Sequence, residues 1–424
     1  MNVADKNKPH IIGKKCLICG KKYDFEQVEF TCPSCGERGI LDIEYDYDFV
    51  KSVIKSKLKN FCEKDIFAFT PLLPINLDFE GISTKVGQTP ILKATRLGNY
   101  LGHSQLWIKD DGRLPTASFK DRASAVAIAR AKELGIRHIV AASTGNAAAS
   151  LAGLTAPEGI LSIILVPKTA PPAKIAQLLT FGAKVFAVDG SYDDAFALSL
   201  KLTEKLGYYL RSTAVNPVLS EGKKTGMFEA LLQMGEDIPD TVAVSVGDGC
   251  IVGGLAKGAL EFYKLGLIPK LPRIIGVQAE GSQVIYKAWK SGGNEIDVKK
   301  PSTRADSISV AFPRDYLKAL KGVRETSGLM TVVSDEEIFE AAKLSGTYAG
   351  IFSEPAAAAA MAGAVKLINS GEISKTEKVL AFSTGSGLKD VEGASRAAGK
   401  PLVVGTDNST IDYINEVLRE KREF

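Results

Sequence analysis

From Gln105 to Leu210 the chain alternates between two hydrophobic periods. "SQLWIKD", "RHIVAAS", "GILSIILVP" and "AKVFAVDG" are short apolar runs bounded by turn residues, and they predict strands. The segments between and after them predict helices: "SFKDRASAVAIARAKELG", stopped by Gly135, then "NAAASLAGLTA", "PAKIAQLLTFG" and "SYDDAFALSLKLTEKLG". The last opens with a capping box, Ser191 to Asp194, and stacks Leu198, Leu202 and Leu206 at helical spacing. Repeated strand–helix units of this length imply a parallel sheet with helices on its faces.

A second α/β series begins at Asn216. "TVAVSVGDG" and "RIIGVQAEG" predict strands, "EPAAAAAMAGAVKLI" a helix, and "EKVLAFSTGSGLKD" a strand ending in a polar turn. Lys290–Ser307, "KSGGNEIDVKKPSTRADS", reads as a long mobile loop. No internal repeat is visible.

The first ~45 residues form a separate pattern. Cys16, Cys19, Cys32 and Cys35 are spaced C-x2-C-x12-C-x2-C, while Cys62 and Cys250 stand alone. Each pair is followed by glycine, which lets the backbone turn tightly around two metal-bound sulfurs. Four thiolates suit a closed, structural zinc site; iron in a rubredoxin-like site and four reduced cysteines in a metal-free hairpin are the alternatives.

A length of 424 residues exceeds one ordinary core, and 45% hydrophobic with 24% charged residues describes a soluble globular protein. The net charge of +4 is spread along the chain, with no basic block of the kind that meets nucleic acid or a membrane. "MNVADKNKPHIIGKK" has no apolar core of a signal peptide, and the alanine-rich stretch after Asn146 is broken at Pro157–Gly159. These features lead to the expectation of a cytoplasmic protein.

Ligands in parallel α/β sheets bind beyond the carboxyl ends of strands. Four polar loops fall there: "TASFK", "STGN" (Ser143–Asn146), "GDGCIVGG" (Gly247–Gly254) and "STGSG" (Ser383–Gly387). Each alone is a common turn. Together they offer one cleft an amine, an amide, a backbone anion cradle and hydroxyls. Lys120 is then either a solvated helix charge or an amine held near an electrophile. The second choice suits an aldehyde that carries a phosphate, namely pyridoxal phosphate, with Lys120 forming a Schiff base. The Gly247–Gly254 turn would hold the phosphate at a helix start.

"PTASFKDRA", "ASTGNAAASLA", "EGKKT", "EPAAAA" and "TGSGLKD", in this order, resemble the threonine synthases within the fold-type II pyridoxal-phosphate enzymes. The resemblance runs from about Gly87, in "VGQTPIL", to about Asp390, and the CxxC head resembles that of some members. It implies two doubly wound α/β domains of the tryptophan synthase β-like type behind a small zinc-ribbon-like module. The expected division is 1–45 for the module, 46–105 with 216–424 for a large cofactor-binding domain, and 106–215 for a small mobile domain carrying Lys120.

Motif by motif, the resemblance puts the cofactor lysine on Lys120 and the ring-oxygen amide on Asn146. The phosphate loop falls on Gly247, Asp248, Gly249, Cys250 and Ile251, and the ring-nitrogen hydroxyl on Thr384. Ser143 and Thr144 fall where the family grips the substrate carboxylate, with Ser118 and Lys224 in the same substrate set. A hydroxyl at the ring nitrogen moderates electron withdrawal, which suits elimination and replacement more than transamination. The implied reaction is conversion of O-phospho-L-homoserine and water to L-threonine and phosphate, by a homodimer acting on a small amino acid.

Departures cluster at the substrate. "NPVLSEGKKT" has Leu219 where the family's phosphate-binding arginine is expected, and "STAVNP" has Ala214 where a serine is common. "RLPTAS" replaces asparagine-proline-threonine-glycine-serine, with Leu114 at the asparagine and Arg113 as an added cation, and Asp248 stands for an asparagine. Arg113, Lys223 or Lys224 would supply replacement phosphate contacts from another direction, or else are solvated surface cations. A dehydratase-like ammonia-lyase, or a β-replacement enzyme on a serine- or phosphoserine-like substrate, is the alternative, although its usual "SSGNH" loop is here "STGNA".

Overall fold

The four polar loops follow four strands, and a computed structural model describing residues 8–59, 61–213 and 215–420 shows how those strands are arranged. Ala214 and the opening residues 1–7 lie outside the described residues, as does the side chain of Cys62.

The amino-terminal module is a three-stranded antiparallel sheet, β1 (Ile11–Cys16), β2 (Lys22–Tyr23) and β3 (Leu41–Tyr45), in the order β2-β1-β3. β3 alternates as a half-buried strand should, with Leu41, Ile43 and Tyr45 inward. The glycines after the cysteine pairs, Gly20 and Gly36, have φ of 73° and 62°, a conformation that costs other residues a Cβ clash. Helix α1 (Tyr47–Lys57) leads into the main body.

Next come β4 (Ile91–Lys93), α2 (Thr95–Tyr100), β5 (Leu106–Asp110) and α3 (Lys120–Glu133). A regular strand–helix series follows: β6 (His138–Ala142), α4 (Asn146–Thr155), β7 (Leu161–Pro167), α5 (Pro172–Thr180), β8 (Lys184–Val188), α6 (Tyr192–Leu206) and β9 (Tyr209–Leu210). These strands form a four-stranded parallel sheet in the order β8-β7-β6-β9. The chain continues through α7 (Pro217–Met234), β10 (Thr241–Ser245), α8 (Cys250–Lys264), β11 (Arg273–Ala279), α9 (Val284–Lys290), α10 (Tyr316–Glu325), β12 (Leu329–Val333), α11 (Asp335–Ala349), α12 (Pro355–Asn369) and β13 (Val379–Ser383). A six-stranded sheet results, ordered β12-β11-β10-β13-β5-β4 and parallel except for β4 at its edge. β5, β10 and β13 are buried along their whole length, as expected of strands covered on both faces.

Two sequence expectations are corrected. β5, assigned above to the small unit with residues 106–215, pairs with β13 and β4 in the six-stranded sheet; its apolar run fits either sheet, and only pairing decides. Helix α6 forms with its capping box, but Leu198 and Leu206 are exposed and Ala195, Phe196 and Ser199 face the sheet. Phe196 packs with Val140, Ile163 and Leu165, so the aromatic decides which face is inward.

Helix α3 shows why small residues follow Lys120. It is buried from Asp121 to Ala131. At Gly222 on α7 an added Cβ would lie 2.5 Å from Arg122 O and 2.9 Å from Ala123 Cα, so the two backbones touch. A large residue at that crossing would push the two helices apart. Among the described residues no helix is long and apolar enough to cross a membrane.

Candidate active site

Lys120 begins α3, and the turn before it is stapled to the end of β13. Phe119 N–H donates to Thr384 O at 2.9 Å, Ser386 N–H donates to Ala117 O at 3.0 Å, and Ser118 bridges Gly385. Asp121 accepts from Thr116 N–H at 2.7 Å and from its hydroxyl, closing the turn from the helix side. Ala117, at the glycine position of the family motif, has φ of 63°. Ala117→Gly is therefore expected to stabilise the protein by about 0.5–1 kcal/mol, the Cβ penalty less the added unfolded-state freedom. A chemical denaturation midpoint checks this, and a lowered midpoint would contradict it.

The end of β10 supplies the second wall. Gly249 caps α8 with φ of 92° and no side-chain cap, which leaves the first N–H groups of the helix to a ligand. A Cβ there would approach Asp315 O to 2.8 Å, so glycine is required twice over. Asp248 accepts from Arg314 N–H at 2.6 Å and from Cys250 Sγ at 3.2 Å. Burial, and then the neighbouring Asp315, push its carboxyl up, which lessens the repulsion a carboxylate would offer a phosphate. Cys250 is a packed thiol: burial raises it well above the ordinary range, which disfavours a nucleophilic thiolate.

Asn146, at the start of α4, donates its side-chain amide to both oxygens of Glu354, at 2.9 and 3.1 Å. Glu354 precedes α12 and is buried; burial raises its carboxyl, while Asn146 and Lys120 oppose the rise. Thr384, nearly buried, lies 3.4 Å from Ser245 Oγ. Lys120, Asn146, the Gly247–Ile251 turn, Glu354 and Thr384 line one cavity. A larger cavity of about 500 Å³ shares Asn146 and Ser307 with it and reaches Thr144. Ser143 Oγ accepts from Gly145 N–H at 3.2 Å and so shapes that loop.

Among the described residues the Lys120 amine makes no hydrogen bond or ion pair. Burial foremost, and then Arg211, lower its pKa from the usual lysine value. That favours the neutral, nucleophilic amine. A free amine opposite an uncapped helix start, with an oriented amide and a hydroxyl between, fits an aldehyde carrying a phosphate. These residues would hold pyridoxal phosphate.

Other expected contacts fall elsewhere. Lys224 does not join this cavity: its ammonium is paired with Glu221 at 2.6 Å and Glu261 at 2.8 Å. It lies 4.2 Å over the Tyr45 ring, and Tyr45 in turn donates to Glu221 at 2.8 Å. Lys224 therefore fastens the amino-terminal sheet to α7 and α8, a role hidden in sequence because its partners are 37 residues or more away, save Glu221. Ser118 is buried with its hydroxyl unpartnered and lies outside the cavity lining. Leu219 and Leu114 are core residues, and Arg113 is exposed beside Asp110. Two residues went unread in the sequence. Glu354 stands in the quoted "EPAAAA", and Arg211 follows directly on a strand end, the position where ligand contacts are expected.

The model of the pyridoxal-phosphate dependent enzyme family matches residues 82–385. A threonine synthase of Methanocaldococcus jannaschii is 37% identical over 410 residues, 96% of this chain and 99% of that one. A threonine synthase of Methanosarcina acetivorans is 38% identical over 406 residues, 95% of this chain and 98% of that one. Among solved structures, the processed form of threonine deaminase isoform 2 from Solanum lycopersicum matches with a TM-score of 0.64 at 23% identity, over 74% of this chain and 89% of that one. That last likeness concerns the fold alone.

Proposed function

We propose, for a chain that belongs to the pyridoxal-phosphate dependent enzymes and among them to the threonine synthases, that it converts O-phospho-L-homoserine and water to L-threonine and inorganic phosphate. The observation that carries this reading is the unpartnered Lys120 amine in a cavity shared with Asn146, the Gly247–Ile251 turn and Thr384. Pyridoxal phosphate, when bound, supplies an aldehyde that takes up amino groups and a ring that draws electrons from Cα.

The chain's own groups do the rest. The α8 N–H groups and Gly249 would hold the cofactor's phosphate, and Asn146, itself held by Glu354, would orient its ring. Thr384, which lines the same cavity, would offer its hydroxyl to the ring nitrogen. Ser143 and Thr144 hold the substrate carboxylate. Lys120, lowered by burial, takes the proton from Cα and moves protons at Cβ and Cγ, so that phosphate leaves Cγ and water adds at Cβ. We also propose that the four-stranded sheet with its helices closes over the substrate to order that water. A cytoplasmic homodimer is the setting this reading carries with it.

The test is release of phosphate from O-phosphohomoserine with the amino-acid product identified. Equal amounts of phosphate and threonine are expected. One observation favours a second reading: Leu219, wholly buried, brings no cation to a substrate phosphate. If O-phosphohomoserine is inert while serine, threonine or phosphoserine is consumed, the protein is an ammonia-lyase or β-replacement enzyme.

We propose a structural zinc ion for the amino-terminal module. The four sulfur atoms of Cys16, Cys19, Cys32 and Cys35 lie within 4.8 Å of one another, with two pairs at 3.9 and 3.8 Å. A tetrahedron of sulfurs about 2.3 Å from zinc has edges of about 3.8 Å. Metal analysis is expected to give one zinc per chain, and a strong chelator to unfold the module, since structural zinc contributes its binding energy to folding. Iron in place of zinc, or no metal at all, would refute the assignment.

A further inference from the structure

We infer that Arg211 and Lys223 form the pair of cations that receives the phosphate monoester of the substrate, replacing the arginine that Leu219 does not provide. This rests on the function proposed above. The inference starts from how the chain treats its buried cations. Lys109, Arg122 and Lys224 each have a carboxylate within 3.0 Å. A buried cation without such a partner is costly. Arg211 is 4% exposed and Lys223 is 1% exposed, and among the described residues neither makes an ion pair with a carboxylate.

Neither residue lines the Lys120 cavity, but each is packed against a helix, α3 or α8, whose first residues do. Arg211 follows β9, and its N–H donates to Val140 O at 2.8 Å, which sets it at the carboxyl edge of the four-stranded sheet. Among the described residues its guanidinium reaches only Ser124 Oγ, at 3.3 Å from both Nε and Nη2. Ser124 lies one helical turn after Lys120 on α3, so the guanidinium stands over the face that presents the Lys120 amine. Lys223 comes from α7. A Cβ at Gly254 would lie 2.7 Å from its Cβ, which packs it against α8 one turn beyond Cys250. Its ammonium makes no hydrogen bond among the described residues. Burial foremost lowers it to about 8, with Lys120 and Arg211 adding to the fall against Cys250 and Asp315.

Lys120, Arg211 and Lys223, from α3, the end of β9 and α7, stand near enough to act on one another's charge, and among the described residues no carboxylate is bonded to them. The uncapped start of α8 already serves one phosphate. A second, held by a planar guanidinium and an ammonium beside the base, is the chemistry of a phosphate leaving group. The exchange is legible in the chain itself: leucine stands where the family's arginine is expected, and an arginine stands eight positions earlier.

The test uses the holoenzyme with inorganic phosphate as probe, measured by calorimetry beside KM for O-phosphohomoserine and beside the visible absorbance of bound cofactor. Arg211→Leu and Lys223→Gln are each expected to weaken phosphate binding at least tenfold and raise KM at least tenfold, with the absorbance retained. Arg211→Lys should recover part of the loss. Unchanged phosphate affinity and KM in both variants would overturn the inference. Loss of cofactor with phosphate affinity intact would also overturn it, because the pair would then serve the cofactor's own phosphate. Failure of the underlying function is a separate result: the wild-type enzyme would bind phosphate through this pair yet leave O-phosphohomoserine unchanged, and another phosphate monoester would be the substrate.

Discussion

Lys120→Ala is expected to abolish the visible absorbance of covalently bound pyridoxal phosphate and to lower turnover by on the order of 10,000-fold, the upper end for a positioned base. Two roles fail together in this variant. Among the described residues Lys120 is the only lysine that lines the cavity, so no other lining amine replaces its bond to the cofactor aldehyde. It is also the group whose pKa burial lowers from the usual lysine value, with Arg211 adding to the fall. The cofactor's phosphate should still bind at the start of α8, because Gly249 and the first N–H groups of α8 owe nothing to the side chain of residue 120. Absorbance and activity separate the two roles from folding, provided the thermal midpoint of the variant is measured alongside. An unchanged spectrum would remove Lys120 from the chemistry.

Much of this site was legible because its residues sit on local signals. Lys120, Asn146, Gly247–Ile251 and Thr384 all follow strands whose apolar runs are plain in the sequence. Strand ends in parallel sheets are where ligands bind. What stayed hidden depends on contacts between distant segments. Glu354 orients Asn146 across 208 residues, and no spacing rule reaches that far. Lys224, adjacent to Lys223, looked equally free, yet the two side chains diverge. One is consumed by Glu221 and Glu261, and the other is left without a carboxylate. A helix turns about 100° per residue, so adjacent lysines serve different surroundings. The placement of β5 was hidden for a related reason. A fully buried strand shows only that it is covered, not which neighbours it pairs with.

Glu229→Ala is expected to cost about 3–5 kcal/mol of stability, the range for removing one partner of a buried ion pair. Glu229 is 1% exposed and sits between two cations: it accepts from Lys109 at 2.5 Å and from Arg122 at 3.0 Å through both guanidinium nitrogens. It also accepts the N–H groups of Gln88 and Thr89, at 2.9 Å each, in the "VGQTP" segment. Arg122 is held on its other side by Asp111, at 2.7 and 3.0 Å. The four charges balance, so removing one carboxylate leaves a buried cation uncompensated and two N–H groups without acceptors. Arg122 is two residues from Lys120, so the loss should also loosen the Lys120 amine. Burial alone would raise the Glu229 carboxyl, but Arg122 and then Lys109 hold it down at about 2. A depressed carboxylate stabilises the fold above its unfolded pKa, and the contribution fades as pH falls from about 4.5 toward 2. The gap between wild type and Glu229→Gln in denaturant midpoint should therefore be full at pH 7 and narrow toward pH 2. Removing one charge of each sign, as in Lys109→Met with Glu229→Gln, should cost less than the sum of the two single changes, since neither charge is then left alone. A midpoint unmoved by Glu229→Ala, or strict additivity in the double variant, would mean that these charges stand near one another without supporting the helix that carries Lys120.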